Sequence, residues 1–197
     1  MAHEQADLGR LQVRALAERR SKHTLDEILI DPGAMPPDCG DLASAIERVA
    51  GRMERARDSG ASIILAYGAH LVKNGLALVV GRLIESGWIT HLATNGAGVI
   101  HDWEYSFQGR SEEDVRHYVA CGQFGAWDET GRYTLIAILA GALRSMGYGE
   151  SLGRFIVDDG CQIAEVDELR GQLRQWIDSG VADEDMPAVT GLLQVLL

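Results

Sequence analysis

Six side chains that can bind or transform a ligand lie close together in the sequence, between residues 68 and 104. They comprise three histidines, one lysine and two carboxylates: His70, Lys73, His91, His101, Asp102 and Glu104. A lysine in an apolar crevice can form an imine with a carbonyl substrate, whereas a lysine at the start of a helix is often only a solvated charge. Histidine and carboxylate groups can transfer protons in such a reaction. The set therefore points to imine chemistry assisted by proton transfer.

Most of these side chains also have a purely structural interpretation. His91 lies within an apolar run, where a histidine is more often packed in a core or at an edge than a ligand. Asp102 and Glu104 fall at the start of a predicted helix and would then interact only with its dipole. A metal site would need His70 and His101 to converge with a carboxylate around an open position for water, and no HExxH motif supports one. We therefore assign no metal ligands.

A β-α-β unit is predicted to position these side chains. Residues 61–67 and 88–93 form two apolar runs, and a helical pattern over 71–86 connects them. Such strands lie parallel with a right-handed crossover, and α/β sheets bind ligands outside the carboxyl ends of their strands. Glycine-containing loops follow both runs, at Gly68 and around Gly98. Amides at the start of the helix after Gly98 could hold phosphate, although these glycines could equally be simple turns because the full GxGxxG spacing is missing.

The rest of the chain has a mainly helical pattern. Apolar periodicity predicts a helix over 41–59, and Ser111 with Asp114 predicts a capping box for a helix that ends near residue 120. Further helices are predicted at 130–146, 150–157, 166–177 and 187–197. We expect an α/β fold with a Rossmann-like, doubly wound and mainly parallel sheet, flanking helices and a helical C-terminal part. The chain should form a single domain with an extension, a nucleotide-binding core and a mainly helical part, at 1–40, 41–135 and 136–197.

Composition limits the class of protein and of partner. Hydrophobic residues make up 46% of the 197 residues and charged residues 24%, which is typical of a globular protein with a sizeable core. The net charge of −11 disfavours nucleic acid and anionic membranes and suits a cationic small molecule. Because the sequence shows neither a membrane-length apolar run nor a secretory signal pattern, we expect a cytoplasmic protein with reduced cysteines, Cys39, Cys121 and Cys161. The apolar stretch 192–197 should pack against the core or a second subunit, or belong to a longer natural protein, and we expect a homo-oligomer.

Residues 63–104 resemble the NAD-binding part of deoxyhypusine synthase and its relatives. The segment Thr94-Asn95-Gly96-Ala97-Gly98, followed by Asp102, looks like the family's Thr-x-Gly-Gly-type loop with acidic residues after it. Residues 122–125 with Glu129 are similar to the family's next cofactor-side loop. The stretch 95–104 is also similar to the loop of an archaeal ornithine cyclodeaminase type of domain, which binds NAD on the same kind of fold.

The resemblance implies NAD as the cofactor and an amine, such as a polyamine, or an amino acid as the substrate. The amine would be oxidised to an imine and its alkylamine unit transferred through a lysine imine. The implied catalytic residues are Lys73, His101, Asp102 and Glu104, and the implied cofactor-binding residues are Gly68, Ala69, His70, Asn74, Thr94, Asn95, Gly96, Ala97, Gly98 and Glu129. The family's Gly-Gly-Gly-Val-x-Lys-His motif does not follow residue 135, so deoxyhypusine synthase activity itself is not expected. A non-catalytic nucleotide-binding or interaction module and a metal-dependent hydrolase remain as alternatives.

Overall fold

A computed structural model describes residues 7–163, 165–180 and 191 of the chain. Contacts divide it into two compact units. The first unit is Ala17–Gly125, and the second comprises the described residues of Met1–Leu16 and Ala126–Leu197. Both units are described separately below, and a single domain over all 197 residues stays a prediction.

The described residues form a mixed α/β structure. Its strands are β1 (Ser21–Thr24), β2 (Ile64–Ala66), β3 (His91–Ala93) and β4 (Arg110–Glu113). Its α-helices are α1 (Leu25–Ile28), α2 (Ala43–Asp58), α3 (Ala69–Lys73), α4 (Ala77–Glu85), α5 (Gly96–Gln108), α6 (Val115–Ala120), α7 (Asp128–Ala142), α8 (Tyr148–Val157) and α9 (Val166–Asp178). Short 3-10 helices lie at Leu8–Arg10, Leu16–Glu18 and Gly40–Leu42. No helix among the described residues is long and apolar enough to cross a bilayer.

The two apolar runs of the first unit pair as parallel strands, as predicted. Strands β2 and β3 are in register, with Ile64 opposite His91 and Ala66 opposite Ala93. Each strand is three residues long, and in the described part of the chain the sheets are this pair and the antiparallel pair of β1 and β4. The parallel pair is therefore established, whereas the doubly wound sheet stays a prediction.

The helix predicted over 71–86 is interrupted, and α3 and α4 replace it. Gly75 lies between them with φ of 83°, in the left-handed region that favours glycine. A Cβ atom at Gly75 would collide with the backbone carbonyl of Ile28, which passes directly over this position. The Ile30 amide also donates to the Gly75 carbonyl, at 3.1 Å. The segment after α1 thus packs against the turn, and this contact favours a break over a continuous helix.

The antiparallel pair β1–β4 was not anticipated from the sequence. His23 lies opposite Ser111 and Thr24 opposite Arg110. The predicted capping box is therefore wrong, because Ser111 belongs to β4 and not to a helix cap. Asp114 is the N-cap of α6 by itself, and its carboxylate accepts from the amide of His117 at 3.1 Å.

Helix α2 confirms the helix predicted over 41–59, but its apolar stripe is not buried. Leu42, just before the helix, and Ile46 and Val49 within it are 66%, 49% and 55% exposed. The core of the first unit is built from other elements, and includes Val72, Val80, Ile89, Trp103, Tyr105 and Tyr118. Periodicity therefore identified the helix correctly, but the apolar stripe does not mark a buried face in the described structure.

The second unit is helical where it is described. Helices α7, α8 and α9 confirm the helices predicted at 130–146, 150–157 and 166–177. A Cβ atom at Gly141 would lie 2.5 Å from the Ser151 Cβ, so α7 and α8 approach closely at this glycine. Leu152 is buried next to this contact. The helix predicted at 187–197 falls outside the described residues except for position 191.

Candidate functional site

The loops that follow β2 and β3 lie against each other. A Cβ atom at Gly98 would come within 2.6 Å of Thr94 Oγ1, 3.4 Å of Tyr67 Cε2 and 3.7 Å of the Gly68 carbonyl oxygen. A side chain at position 98 would therefore have to displace the Thr94 hydroxyl of the same loop, whereas Tyr67 and the Gly68 carbonyl lie at ordinary contact distance. At Gly68 a Cβ atom would lie 3.8 Å from the side-chain nitrogen Nδ2 of Asn95, which is an ordinary contact distance. The two strand ends therefore form one site, as the parallel pairing predicts.

The backbone amides at this edge differ in their availability. Helix α5 begins at Gly96 rather than after Gly98, and Asn95 caps it by accepting from the Ala97 and Gly98 amides at 3.1 and 3.4 Å. These amides, which were expected to hold phosphate, are already engaged. In the described structure the amides of the neighbouring residues 69 and 70 have no acceptor, and Gly68 provides no side-chain cap. The amides without an acceptor therefore lie on the β2 side of the two loops.

A buried polar network lies within the same unit and comprises Arg19, Glu104, Ser111 and His101. The Arg19 guanidinium donates to both carboxylate oxygens of Glu104, at 2.8 and 2.5 Å. The Ser111 hydroxyl donates to Glu104 Oε2, and His101 Nδ1 lies 2.8 Å from the same hydroxyl. Glu104 is 1% exposed, Arg19 4% and Ser111 0%. Such a network anchors the segment before β1 to α5 and β4, because a buried charge needs its partner.

His101 is the most accessible member of the buried network and is partly exposed. Burial lowers its pKa, and Lys73 and Arg19 act in the same direction, whereas the carboxylates of Glu104 and Glu112 oppose the shift. Its imidazole is therefore neutral near pH 7, since the ordinary value is already 6.5. A neutral imidazole can accept a proton from a substrate.

A second cluster surrounds Glu112 and comprises Glu112, Lys22, His23 and Lys73. The Glu112 carboxylate lies 3.3 Å from Lys22 Nζ, 3.4 Å from Lys73 Nζ and 3.9 Å from His23 Nε2. Burial by itself raises the pKa of Glu112, but the ammonium groups of Lys22 and Lys73 hold it below its usual range. Glu112 also has a φ of 67°, which a residue with a side chain adopts at some cost in energy. Lys73 is thus an ion-paired ammonium in this structure.

The remaining predicted site residues are more scattered. Thr94 and Asn95 border the strand-end site, whereas the side chains of His70, Asn74 and Asp102 are exposed on helices or their ends. Asp102 and Glu104 lie beyond the first turn of α5, so their interpretation as partners of the helix dipole is wrong. His91, in β3, is exposed and not packed in a core. Glu129 belongs to the second unit, where its carboxylate accepts from the Leu16 amide at 2.6 Å.

Five residues of these networks were missed in the sequence: Arg19, Lys22, His23, Ser111 and Glu112. Arg19 belongs to a basic stretch near the N-terminus, Ser111 was interpreted as a helix cap, and Glu112 follows it in a charged run. The basic stretch near the N-terminus was the only sequence feature that pointed to these partners, because a buried arginine in an otherwise acidic chain needs a carboxylate beside it. The distance in sequence between Arg19 and Glu104, 85 residues, hides the pairing from any local pattern.

A metal centre finds no support in the described part of the chain. No group of three or more histidine, cysteine or carboxylate side chains there is arranged to hold an ion. His70 and His101, which were considered as ligands, do not converge with a carboxylate. Comparison of the chain with protein-family models, with curated proteins and with solved structures finds no match. The resemblance to deoxyhypusine synthase therefore rests on the sequence segments quoted above alone.

Proposed function

We propose that this chain binds NAD at the carboxyl ends of β2 and β3, within a Rossmann-like fold, and acts on an amine or amino-acid substrate through an imine. The observation that carries the proposal is the contact between the two strand-end loops, where Gly98 is buried beside Tyr67 and the Gly68 carbonyl. Adjacent loops at the carboxyl edge of parallel strands are where α/β folds bind dinucleotides. The resemblance of residues 63–104 to the deoxyhypusine synthase family supports the same ligand.

The residues at this edge fit a dinucleotide. The backbone amides of Ala69 and His70 can donate to a pyrophosphate. The Thr94 hydroxyl and the side-chain NH₂ group of Asn95 can form hydrogen bonds with ribose or phosphate oxygens. NAD, when bound, would supply a hydride acceptor for the carbon beside the amine nitrogen. A net charge of −11 favours a cationic amine over an anionic substrate.

Within the proposed reaction the chain's own residues have separate roles. His101 is neutral and can take up a proton. Lys73 must give up both its proton and its ion pair with Glu112, at 3.4 Å, before its nitrogen can attack a carbonyl carbon. Glu112 is the nearest proton acceptor for that step. Glu104 already binds Arg19 and Ser111, which suits a positioning role better than proton transfer.

The test is a thermal-shift titration with NAD, using Gly68→Val and Gly147→Val. Both glycines are N-cap residues with room for a Cβ atom, but only Gly68 lies at the strand-end site. NAD at about 100 times its Kd should raise Tm by about 5–10 °C in the parent and in Gly147→Val. Gly68→Val should weaken binding by at least about tenfold, which is about 1.4 kcal/mol. The absence of any shift in the parent, with no heat of binding by calorimetry, would refute the proposal.

A second candidate is a nucleotide-binding module of the same fold without chemistry. The ion pairs of Lys73 with Glu112 and of Glu104 with Arg19 favour it, because two of the four candidate catalytic groups are engaged. NADH formation upon addition of spermidine or a basic amino acid distinguishes the two candidates. Turnover that Lys73→Ala abolishes without lowering Tm supports the enzyme, and binding without turnover supports the module.

A further inference from the structure

The direction of the hydrogen bonds in the buried network can be worked out from its members. The Arg19 guanidinium can only donate, and it donates to both oxygens of Glu104. A carboxylate held in this way can only accept, so the proton between Glu104 and Ser111 belongs to the Ser111 hydroxyl. The hydroxyl has one proton and has now used it. Its remaining contact, with His101 Nδ1 at 2.8 Å, must therefore be one in which the hydroxyl accepts.

The tautomer of His101 follows directly. Nδ1 carries the hydrogen that it donates to Ser111, and in a neutral imidazole the other nitrogen, Nε2, then carries a lone pair. In the described structure Nε2 has no hydrogen-bond partner. The charged groups that face the ring come from each element around it: Glu104 on α5, Lys73 on α3, Glu112 on β4 and Arg19 in the segment before β1. Two carboxylates raise the pKa of the ring and two cations lower it, and burial, which is the largest effect, lowers it further. The neutral form of the ring is therefore favoured.

We propose that Arg19, Glu104 and Ser111 are positioning residues that fix His101 in its Nδ1–H tautomer and make its Nε2 the proton acceptor for the amine substrate. This inference rests on the proposed function for the identity of the substrate, but the tautomer itself does not depend on NAD. His101 Nε2 takes a proton from the cationic amine, which leaves the neutral amine. The carbon beside its nitrogen would then give its hydride to bound NAD, which leaves the protonated imine, and the proton on the imidazolium passes later to water.

The tautomer can be measured in the protein without any ligand by long-range ¹H–¹⁵N NMR of the histidine rings, with His101 assigned from a His101→Gln variant. At neutral pH we expect a protonated, pyrrole-like Nδ1 and a deprotonated, pyridine-like Nε2. An Nε2–H tautomer, or a ring that is doubly protonated at pH 7, would overturn the inference. The parent protein alone thus decides the question, whether or not any variant folds.

Two variants test the positioning residues. Ser111→Ala removes the hydroxyl acceptor and should abolish the tautomer preference, whereas Ser106→Ala, an exposed serine on the same helix as His101, should leave the spectrum unchanged. In Arg19→Met/Glu104→Leu the Ser111 hydroxyl is free to donate to Nδ1, so a mixture of tautomers should appear. An unchanged tautomer in both variants would refute the positioning role.

Failure of this inference is distinguishable from failure of the proposed function. Loss of the NAD thermal shift with the expected tautomer retained would refute cofactor binding and leave the positioning of His101 intact. Retention of the NAD shift with the opposite tautomer would refute the positioning and leave cofactor binding intact. If both cofactor binding and the tautomer are confirmed, Ser111→Ala should shift the midpoint of the pH profile of NADH formation. If Ser111 has only a structural role, the substitution should change the maximum rate and leave the midpoint unchanged.

Discussion

Replacement of Arg19 by methionine should destabilise the first unit severely. The side chains of Arg19 and Glu104 are 3% and 2% exposed, so the substitution removes the guanidinium from a buried carboxylate. Removing one partner from such a pair costs about 3–5 kcal/mol, because the remaining charge has already lost its hydration. Ser111 still donates to Glu104 in the variant, which places the expected loss near the lower end of that range.

Urea denaturation at neutral pH, followed by tryptophan fluorescence, measures this loss. Trp103 is buried next to Glu104 in the sequence and reports on the same unit. Arg48→Met is the matched control, since Arg48 is exposed on α2 of the same unit and, among the described residues, bonds only to Ser44, at 3.3 Å. The control should change the free energy of unfolding by less than about 0.5 kcal/mol.

The double variant Arg19→Met/Glu104→Leu separates the ion pair from simple side-chain volume. Replacing both members of a buried pair by apolar side chains is often neutral or stabilising, so the double variant should be more stable than Arg19→Met alone by at least about 2 kcal/mol. A loss below about 1 kcal/mol in Arg19→Met, or single effects that simply add in the double variant, would refute the reasoning.

Three further predictions concern stability. Gly141→Ala should lower the free energy of unfolding in urea by about 1–3 kcal/mol, because its Cβ atom would collide with Ser151. The control Gly131→Ala, on the same helix with open space around it, should be neutral or stabilising. Equal effects of the two substitutions would contradict the close packing at Gly141. Asn95→Ala should cost about 1 kcal/mol because α5 loses its cap, and no loss by thermal melting would disprove the cap. The pKa of His101 is lowered in the folded state, so on acidification the unfolded chain binds a proton at a higher pH than the folded chain does. The contribution of the neutral ring to the free energy of unfolding is therefore complete above pH 6.5 and is lost as pH falls through the folded-state pKa. His101→Gln should therefore lose less stability than the parent between about pH 7 and about pH 5, and equal losses would contradict the shift.

The parallel pair β2–β3 and most of the described helices could be predicted because their signals are local. Apolar runs that end in glycine define the two strands, and 3.6-residue periodicity defines helices such as α2. The break between α3 and α4 could not be predicted in the same way. It depends on the carbonyl of Ile28, which approaches Gly75 only after the chain has folded.

The adjacency of the two strand-end loops could be predicted, whereas the ionic partners of the titratable side chains could not. The sequence identified the region between Gly68 and Glu104, because glycines and titratable side chains are concentrated there. The partners of Glu104 come from segments that pair as β1 and β4, which are short and polar and carry no strand pattern. Pairing between polar segments far apart in the sequence depends on tertiary packing, so the β-strand propensity of each segment does not predict it.

The most direct test of the central claim is an amide NMR titration of the protein with NAD. The proposed site predicts saturable shifts concentrated at residues 68–70 and 94–98, with the Ala69 and His70 amides moving as they gain a phosphate acceptor. Residues of Tyr148–Val157, in the second unit, serve as the internal reference and should not move. Unchanged spectra at saturating NAD, or shifts confined to residues outside the two strand-end loops, would contradict the account.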